Sequence, residues 1–297
     1  MSQLFSTMPE DFDEFWAEVA HEAQSVRLDY HRSLRKDFPL DGFVVERLEF
    51  TSVGNRRISG WFAYPEGARR LPGFVWIPPY GRESLLPNSY GTREGFTSLS
   101  FNLHGEDAFH QEKYVPARGY FAEGAGSPQT FVFKTLVQHV MVGARVLQAQ
   151  IETDEDKVAA MGMSQGAGLA IWAGAHSPVI KAVAADMPFL GSMTTALGRN
   201  AYRYPLKELV DFMEREPLGP EKVRHTLSYF DTVHQASRCK VPTLVSAGLK
   251  DPSVRPETVE AIVAALPGEH RHVIYDWGHD WHPEMIGNNR DWLLAHL

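Results

Sequence analysis

Near the start of the chain, Phe12, Phe15, Trp16 and Val19 recur at three- and four-residue steps. That spacing places them on one helical face. With Pro9 and Glu10 suited to a first turn, it predicts a helix over 9–26. The pattern then shortens. Residues 43–50 and 57–63 alternate in part, and Gly54-Asn55 between them is a turn signal, so the pair predicts a β-hairpin. Residues 74–77, ending at Pro78-Pro79, and residues 97–103 are short apolar runs of the kind that form strands buried on both faces. A helix is predicted over 130–150. Beyond it, strands over 157–161, 180–185, 243–247 and 272–276 alternate with helices over 164–175, 257–265 and 283–297. Such alternation predicts an α/β fold with a mostly parallel central sheet and helices on both faces.

Two stretches break the rhythm. Residues 105–130 are polar, carry Gly105, Gly119, Gly124, Gly126 and Pro128, and show no clear period. Length without periodicity marks a functional or interface element more than a plain linker. Residues 188–236 are mainly helical and punctuated by Pro205 and Pro217. Placed between two sheet strands, they are expected to form a helical cap over a site, within a single domain spanning 1–297.

Composition narrows the function more than the fold. A formal net charge of −8 argues against binding a phosphate backbone or docking on an anionic membrane. Met1-Ser2-Gln3-Leu4-Phe5-Ser6 lacks a basic region followed by an apolar one, so no signal peptide is expected. No apolar run reaches the roughly 18 residues a membrane-spanning helix needs. Cys239 is the only cysteine, which excludes an intrachain disulfide and fits a reducing, cytoplasmic setting.

The candidate chemistry begins at Gly162-Met163-Ser164-Gln165-Gly166, between the buried run Lys157–Met161 and an apolar helix. A sharp strand-to-helix turn holds a serine at the sheet's edge, and side chains at the two glycine positions would strike neighbouring backbone. The helix behind it offers free N–H groups and a positive dipole end, which favour an oxyanion. A serine hydroxyl needs a base to take its proton. In the α/β-hydrolase fold the chain order is serine, acid, histidine, each after a strand. Asp251 in Gly248-Leu249-Lys250-Asp251-Pro252 and His279 in Gly278-His279-Asp280 occupy such positions. His282 and His272 compete with His279, and Asp276 and Asp280 with Asp251. A metal site at His279, Asp280 and His282, or at His104-Gly105-Glu106-Asp107, has no recognised zinc-ligand spacing, and no metal or cofactor is expected.

Further segments extend the pattern: Asp11-Phe12-Asp13-Glu14-Phe15-Trp16, Arg57-Ile58-Ser59-Gly60-Trp61, Asp186-Met187-Pro188-Phe189-Leu190, Leu227-Ser228-Tyr229-Phe230-Asp231, and Val245 through Asp251. Together with the serine elbow they resemble the acetyl xylan esterase and cephalosporin C deacetylase family, carbohydrate esterase family 7, over nearly the whole chain. The resemblance implies an α/β-hydrolase fold with Ser164 as nucleophile, His279 as base and acid, and Asp251 orienting the imidazole. It also implies an oxyanion hole from the backbone N–H groups of Gln165 and Tyr80, a substrate contact at Phe189, and a homo-oligomer assembled partly through the polar stretch. The chain departs from the family at His104-Gly105-Glu106-Asp107, where an Arg-Gly-Gln-Gly motif braces the site. Asp280 also stands where glutamate is usual, and Pro78-Pro79-Tyr80-Gly81-Arg82 differs from the glycine-rich oxyanion loop. The expected function is a serine esterase for short acyl, chiefly acetyl, esters of carbohydrates or small alcohols. Two rivals are a peptidase or bulky-ester hydrolase on the same fold, and a non-catalytic binding protein that keeps it.

Overall fold

The computed structural model describes residues 7–81, 86–87, 91–105, 119–200 and 202–297. The hairpin forms where the turn signal placed it. Strands β2 (Phe43–Thr51) and β3 (Arg57–Pro65) pair antiparallel, from Phe43 opposite Pro65 to Thr51 opposite Arg57. Gly54 and Asn55 turn the chain at φ of 62° and 56°, a region that glycine and asparagine enter most readily. One strand gave no signal: β1 (Tyr30–Leu34) pairs antiparallel with β2 at the sheet's edge. Its exposed residues have no apolar alternation. Instead, Arg32 reaches the carboxylates of Glu46 and Glu152.

Strands β4 (Leu71–Ile77), β5 (Thr97–Phe101), β6 (Thr153–Met163), β7 (Ile180–Asp186), β8 (Thr243–Gly248) and β9 (His270–Tyr275) complete a nine-stranded sheet. Its order is β1-β2-β3-β5-β4-β6-β7-β8-β9. Pairing is antiparallel up to β5 and parallel from β5 onward. Because side chains alternate across a strand, the parallel strands feed two cores. Val75, Ile77, Ala160, Val183 and Val245 pack with helices α1 (Phe12–Ser25), α2 (Val132–Gln148) and α3 (Gln165–His176). Phe74, Trp76, Ala159, Met161 and Leu244 face the other way, onto Trp292 and Leu293 of the C-terminal helix. Helices therefore cover both faces. Helix α1 begins at Phe12, three residues later than its pattern suggested. Pro9 lies before it, its carbonyl accepting from the Phe12 N–H.

Between β7 and β8 the insertion forms α4 (Met193–Asn200), α5 (Leu206–Arg215), α6 (Gly219–Tyr229) and α7 (Thr232–Ala236). Helices α8 (Pro256–Ala265) and α9 (Pro283–His296) follow β8 and β9. Trp16 of α1 donates to the carbonyl of Tyr229, which ties the first helix to the end of the insertion. Part of the polar stretch, 106–118, lies outside the described residues, and with it Glu106 and Asp107. From 119 the chain runs through successive turns into α2. Among the described residues, no helix is long and apolar enough to cross a membrane.

Candidate active site

Strands β6, β7, β8 and β9 are parallel, so their carboxyl ends share one edge of the sheet. Residues just beyond those ends converge there, which is where α/β sheets gather ligands. Ser164 follows β6 and precedes α3 at φ 56° and ψ −117°, a strained conformation that turns the chain sharply. The turn is held by backbone bonds: the Ser164 N–H donates to Asp186 O at 2.8 Å, and the Phe189 N–H donates to Ser164 O at 2.9 Å. The flanking glycines allow close approach of the end of β4. A Cβ on Gly166 would stand 2.1 Å from Ile77 O, and one on Gly162 would stand 2.5 Å from the Gly166 backbone.

Asp251 lies three residues past β8 and His279 four past β9. Their side chains meet that of Ser164. His279 Nε2 stands 2.9 Å from Ser164 Oγ, and His279 Nδ1 stands 2.5 Å from Asp251 Oδ2. The Asp251 side chain is fully buried, and its Oδ1 accepts from the N–H groups of Ser253 and Val254 at 2.7 and 2.8 Å. A carboxylate only accepts, so Nδ1 carries the imidazole proton and Nε2 is left to accept from Ser164.

The competing groups are engaged elsewhere. His282 caps α9, its Nδ1 accepting from the Glu284 N–H, and its ring stacks on Tyr275 at 4.4 Å. His272 sits within β9, where burial lowers its pKa. Asp276 pairs with Lys250 at 2.8 Å, and Asp280 accepts from the Trp281 N–H at 2.7 Å. Among the described residues, no group of three or more His, Cys, Asp or Glu side chains is placed to hold a metal ion.

Beneath the serine, Asp186 ends β7 with a buried carboxyl that accepts from Ser246 Oγ and Asn289 Nδ2, both at 2.6 Å. Burial pushes its pKa up to about 6, and the two hydrogen bonds oppose that rise.

The opposite wall is the loop leaving β4, where Tyr80 lies. Its hydroxyl donates to Glu208 of α5, and burial together with that carboxylate pushes the phenol well above its ordinary pKa. Glu208 also accepts from the backbone N–H groups of Gly119 and Phe121 at 2.9 and 2.7 Å. Tyr120, fully buried, donates its hydroxyl proton to Gln165 Oε1 at 2.9 Å and accepts from the Gly81 N–H at 2.8 Å. His104 sets its ring edge-on to Tyr120, centroids 4.3 Å apart. Sequence reasoning found neither Tyr120 nor Glu208. Tyr120 lies in a stretch with no period, and Glu208 reads as one more polar position of a helix.

Between the two walls is a cavity of about 270 Å³ with Ser164, His279, Tyr80, Phe189, Leu206 and Trp281 in its lining. Phe189 is buried and packs against Phe121 at 5.7 Å. The insertion supplies the lining residues Arg203 to Leu206, so it forms part of the cavity wall.

A mostly parallel sheet covered by helices, with a strained serine on a strand-to-helix turn, defines the α/β-hydrolase class. The model of the acetyl xylan esterase (AXE1) family matches residues 3–295. The chain belongs to that family. It is 25% identical over 270 residues to acetyl esterase Axe7A of Xylanibacter ruminicola, a match covering 87% of this chain and 60% of that protein's length. It superposes on the acetyl xylan esterase from Paenibacillus sp. R4 with a TM-score of 0.85 at 24% identity, covering 100% of this chain and 99% of that one. Acetyl xylan esterase 1 from Thermoanaerobacterium sp. gives 0.85 at 23% identity, with 98% and 95% covered.

Proposed function

We propose that the chain is a serine esterase that removes acetyl and other short acyl groups from carbohydrates or related small alcohols. One observation carries this reading: the unbroken hydrogen-bond chain from Ser164 Oγ through His279 to the buried Asp251, on the cavity wall. Family membership and the names of the matched proteins, acetyl esterase and acetyl xylan esterase, support the acetyl preference.

In the first step Ser164 Oγ attacks the ester carbonyl as its proton passes to His279 Nε2. The resulting oxyanion is held by the backbone N–H groups of Gln165, at the start of α3, and Tyr80. His279 returns the proton to the departing alcohol, leaving an acyl-serine. Water then attacks that ester with His279 as base, which releases the acid and restores the serine. Asp251 keeps the imidazole in the required tautomer, and Phe189 contacts the substrate from the cavity wall. The whole chain acts as one domain, with the 188–236 insertion as cap. It needs no cofactor and forms a homo-oligomer, whose order light scattering would read. A cytoplasmic setting fits the buried free thiol of Cys239.

The test is Ser164→Ala assayed on 4-nitrophenyl esters of increasing acyl length. Turnover should fall by about 10⁴-fold or more with the fold intact by circular dichroism, and wild type should prefer acetate. Retained activity in pure Ser164→Ala protein sinks the reading. A preference for long acyl chains would leave the triad standing and replace the substrate.

A further inference from the structure

An oxyanion donor works only if it is aimed to within tenths of an ångström. The Tyr80 N–H sits on an irregular loop, so something must hold that loop. We propose that Tyr120 and Glu208 are positioning residues that fix the 78–81 loop against the serine elbow, so that helix α5 of the insertion acts on turnover without touching substrate. The proposal rests on the reading of Ser164 as nucleophile and Tyr80 as oxyanion donor.

Three contacts carry it. The Tyr120 hydroxyl joins Gly81, next to Tyr80 on the loop, to Gln165, next to Ser164 on the elbow. One buried oxygen thus spans the two segments that carry the oxyanion donors and sets the distance between them. Glu208 then grips the assembly from outside, its carboxylate accepting from the Tyr80 hydroxyl and from the N–H groups of Gly119 and Phe121 on either side of Tyr120. Finally, the Tyr80 and Tyr120 rings pack on each other with centroids 5.0 Å apart. Neither Tyr120 nor Glu208 is part of the cavity lining, whereas Tyr80 is. Ionised, Glu208 is an acceptor only, which suits a group facing three donors. His104, at the head of the segment where this chain departs from its family's motif, packs against Tyr120. The brace is therefore built here around a tyrosine hydroxyl and a carboxylate from the insertion.

A purely structural role and a positioning role differ in what they move. Loss of packing lowers thermal stability and leaves the folded fraction fully active. Loss of aim lowers kcat, because the oxyanion exists only after attack, and leaves KM nearly unchanged. The experiment is Tyr120→Phe and Glu208→Gln, assayed for kcat and KM on a short-chain ester. The inhibition constant of a trifluoromethyl ketone, which forms a tetrahedral oxyanion on a serine, is measured in parallel. We expect kcat to fall about 10- to 100-fold, KM to stay within about threefold, and the inhibition constant to rise in step with the loss in kcat/KM. Glu208→Gln keeps one acceptor oxygen and should lose less than Glu208→Ala. If Tyr120→Phe fails to fold, Tyr80→Phe removes only the hydroxyl that Glu208 holds and carries the same test. A kcat and an inhibition constant within about twofold of wild type in the folded variants, whatever their melting temperatures, overturn the proposal. That result with an inactive Ser164→Ala defeats the brace alone, whereas an active Ser164→Ala defeats the site reading as well.

Discussion

The two walls of the site are built on different plans. Ser164, Asp251 and His279 each follow the end of a parallel strand by one to four residues, so the sheet itself brings them together. The facing wall has no such frame. Its loop, its tyrosine from a turn-rich stretch and its glutamate from an inserted helix are joined by hydrogen bonds between residues 39 to 128 apart in sequence. The first wall is set by a repeating architecture and tolerates little chemical change. The second is set by individual polar contacts, each of which a single substitution can remove.

The sharpest way to break the first wall is Asp251→Asn. Two backbone N–H groups pin one oxygen of the carboxylate, so the asparagine must keep its carbonyl there. Its NH₂ then faces His279 Nδ1 and donates, which forces the ring proton onto Nε2, against Ser164. A histidine in that tautomer is no base. We expect kcat to fall by about 10⁴-fold with KM little changed, the size of the effect of the same substitution in a serine-protease triad. Steady-state kinetics on a short-chain ester checks it. A loss under about tenfold would mean that another carboxylate orients the ring, with Asp280 the next to test.

Gly166→Ala strikes where the walls join. Its Cβ would lie 2.1 Å from Ile77 O and 2.7 Å from Pro78 O, backbone atoms at the root of the 78–81 loop. Neither strand nor helix can yield without moving the serine or the loop. The variant should lose about 3 kcal/mol of stability or fail to accumulate, and any folded fraction should turn over more slowly. Gly198→Ala is the contrast. That exposed helical position has nothing within 4 Å of an added Cβ, so stability should rise by up to about 1 kcal/mol. Chemical denaturation of both reads the difference, and equal effects would mean that contact at the joint does not matter.

These two regions also differ in what the sequence disclosed. Strands β4 to β8 announce themselves as apolar runs because both of their faces are buried for most of their length, whereas β9, at the sheet's far edge, is partly exposed. The residues after them could therefore be placed before any coordinates, and Ser164, Asp251 and His279 do meet. Strand β1 was silent because it is an exposed edge held by Arg32 and its carboxylates rather than by apolar alternation. Tyr120 and Glu208 were silent for a related reason. Their positions depend on which surfaces the insertion and the 119–131 turns bring together, and no periodicity encodes that. The departure at 104–107 was visible in the sequence, but not that the His104 ring packs against Tyr120.

A pH-dependent effect lies beneath the first wall. Asp186 ties β7 to Ser246 of β8 and Asn289 of α9, and its backbone carbonyl holds the Ser164 N–H. Burial pushes its pKa to about 6, above the ordinary 3.8, so the folded chain keeps a proton that the unfolded chain releases. Its contribution to stability is therefore fully present below about pH 4 and is lost as pH rises through about 6, by up to about 3 kcal/mol. The phenol of Tyr275, which the Asp186 charge helps to raise, stays neutral throughout. Asp186→Asn cannot ionise, and its carbonyl can still accept from Ser246. The partnerless Oδ1 of Asn289 can turn to meet the new NH₂. Melting temperatures of wild type and variant, measured from pH 4 to pH 8, should diverge by a few degrees in the variant's favour across that window. A gap that stays constant with pH would show that Asp186 is already ionised near pH 4, and that the support beneath Ser164 is an ordinary carboxylate with no raised pKa.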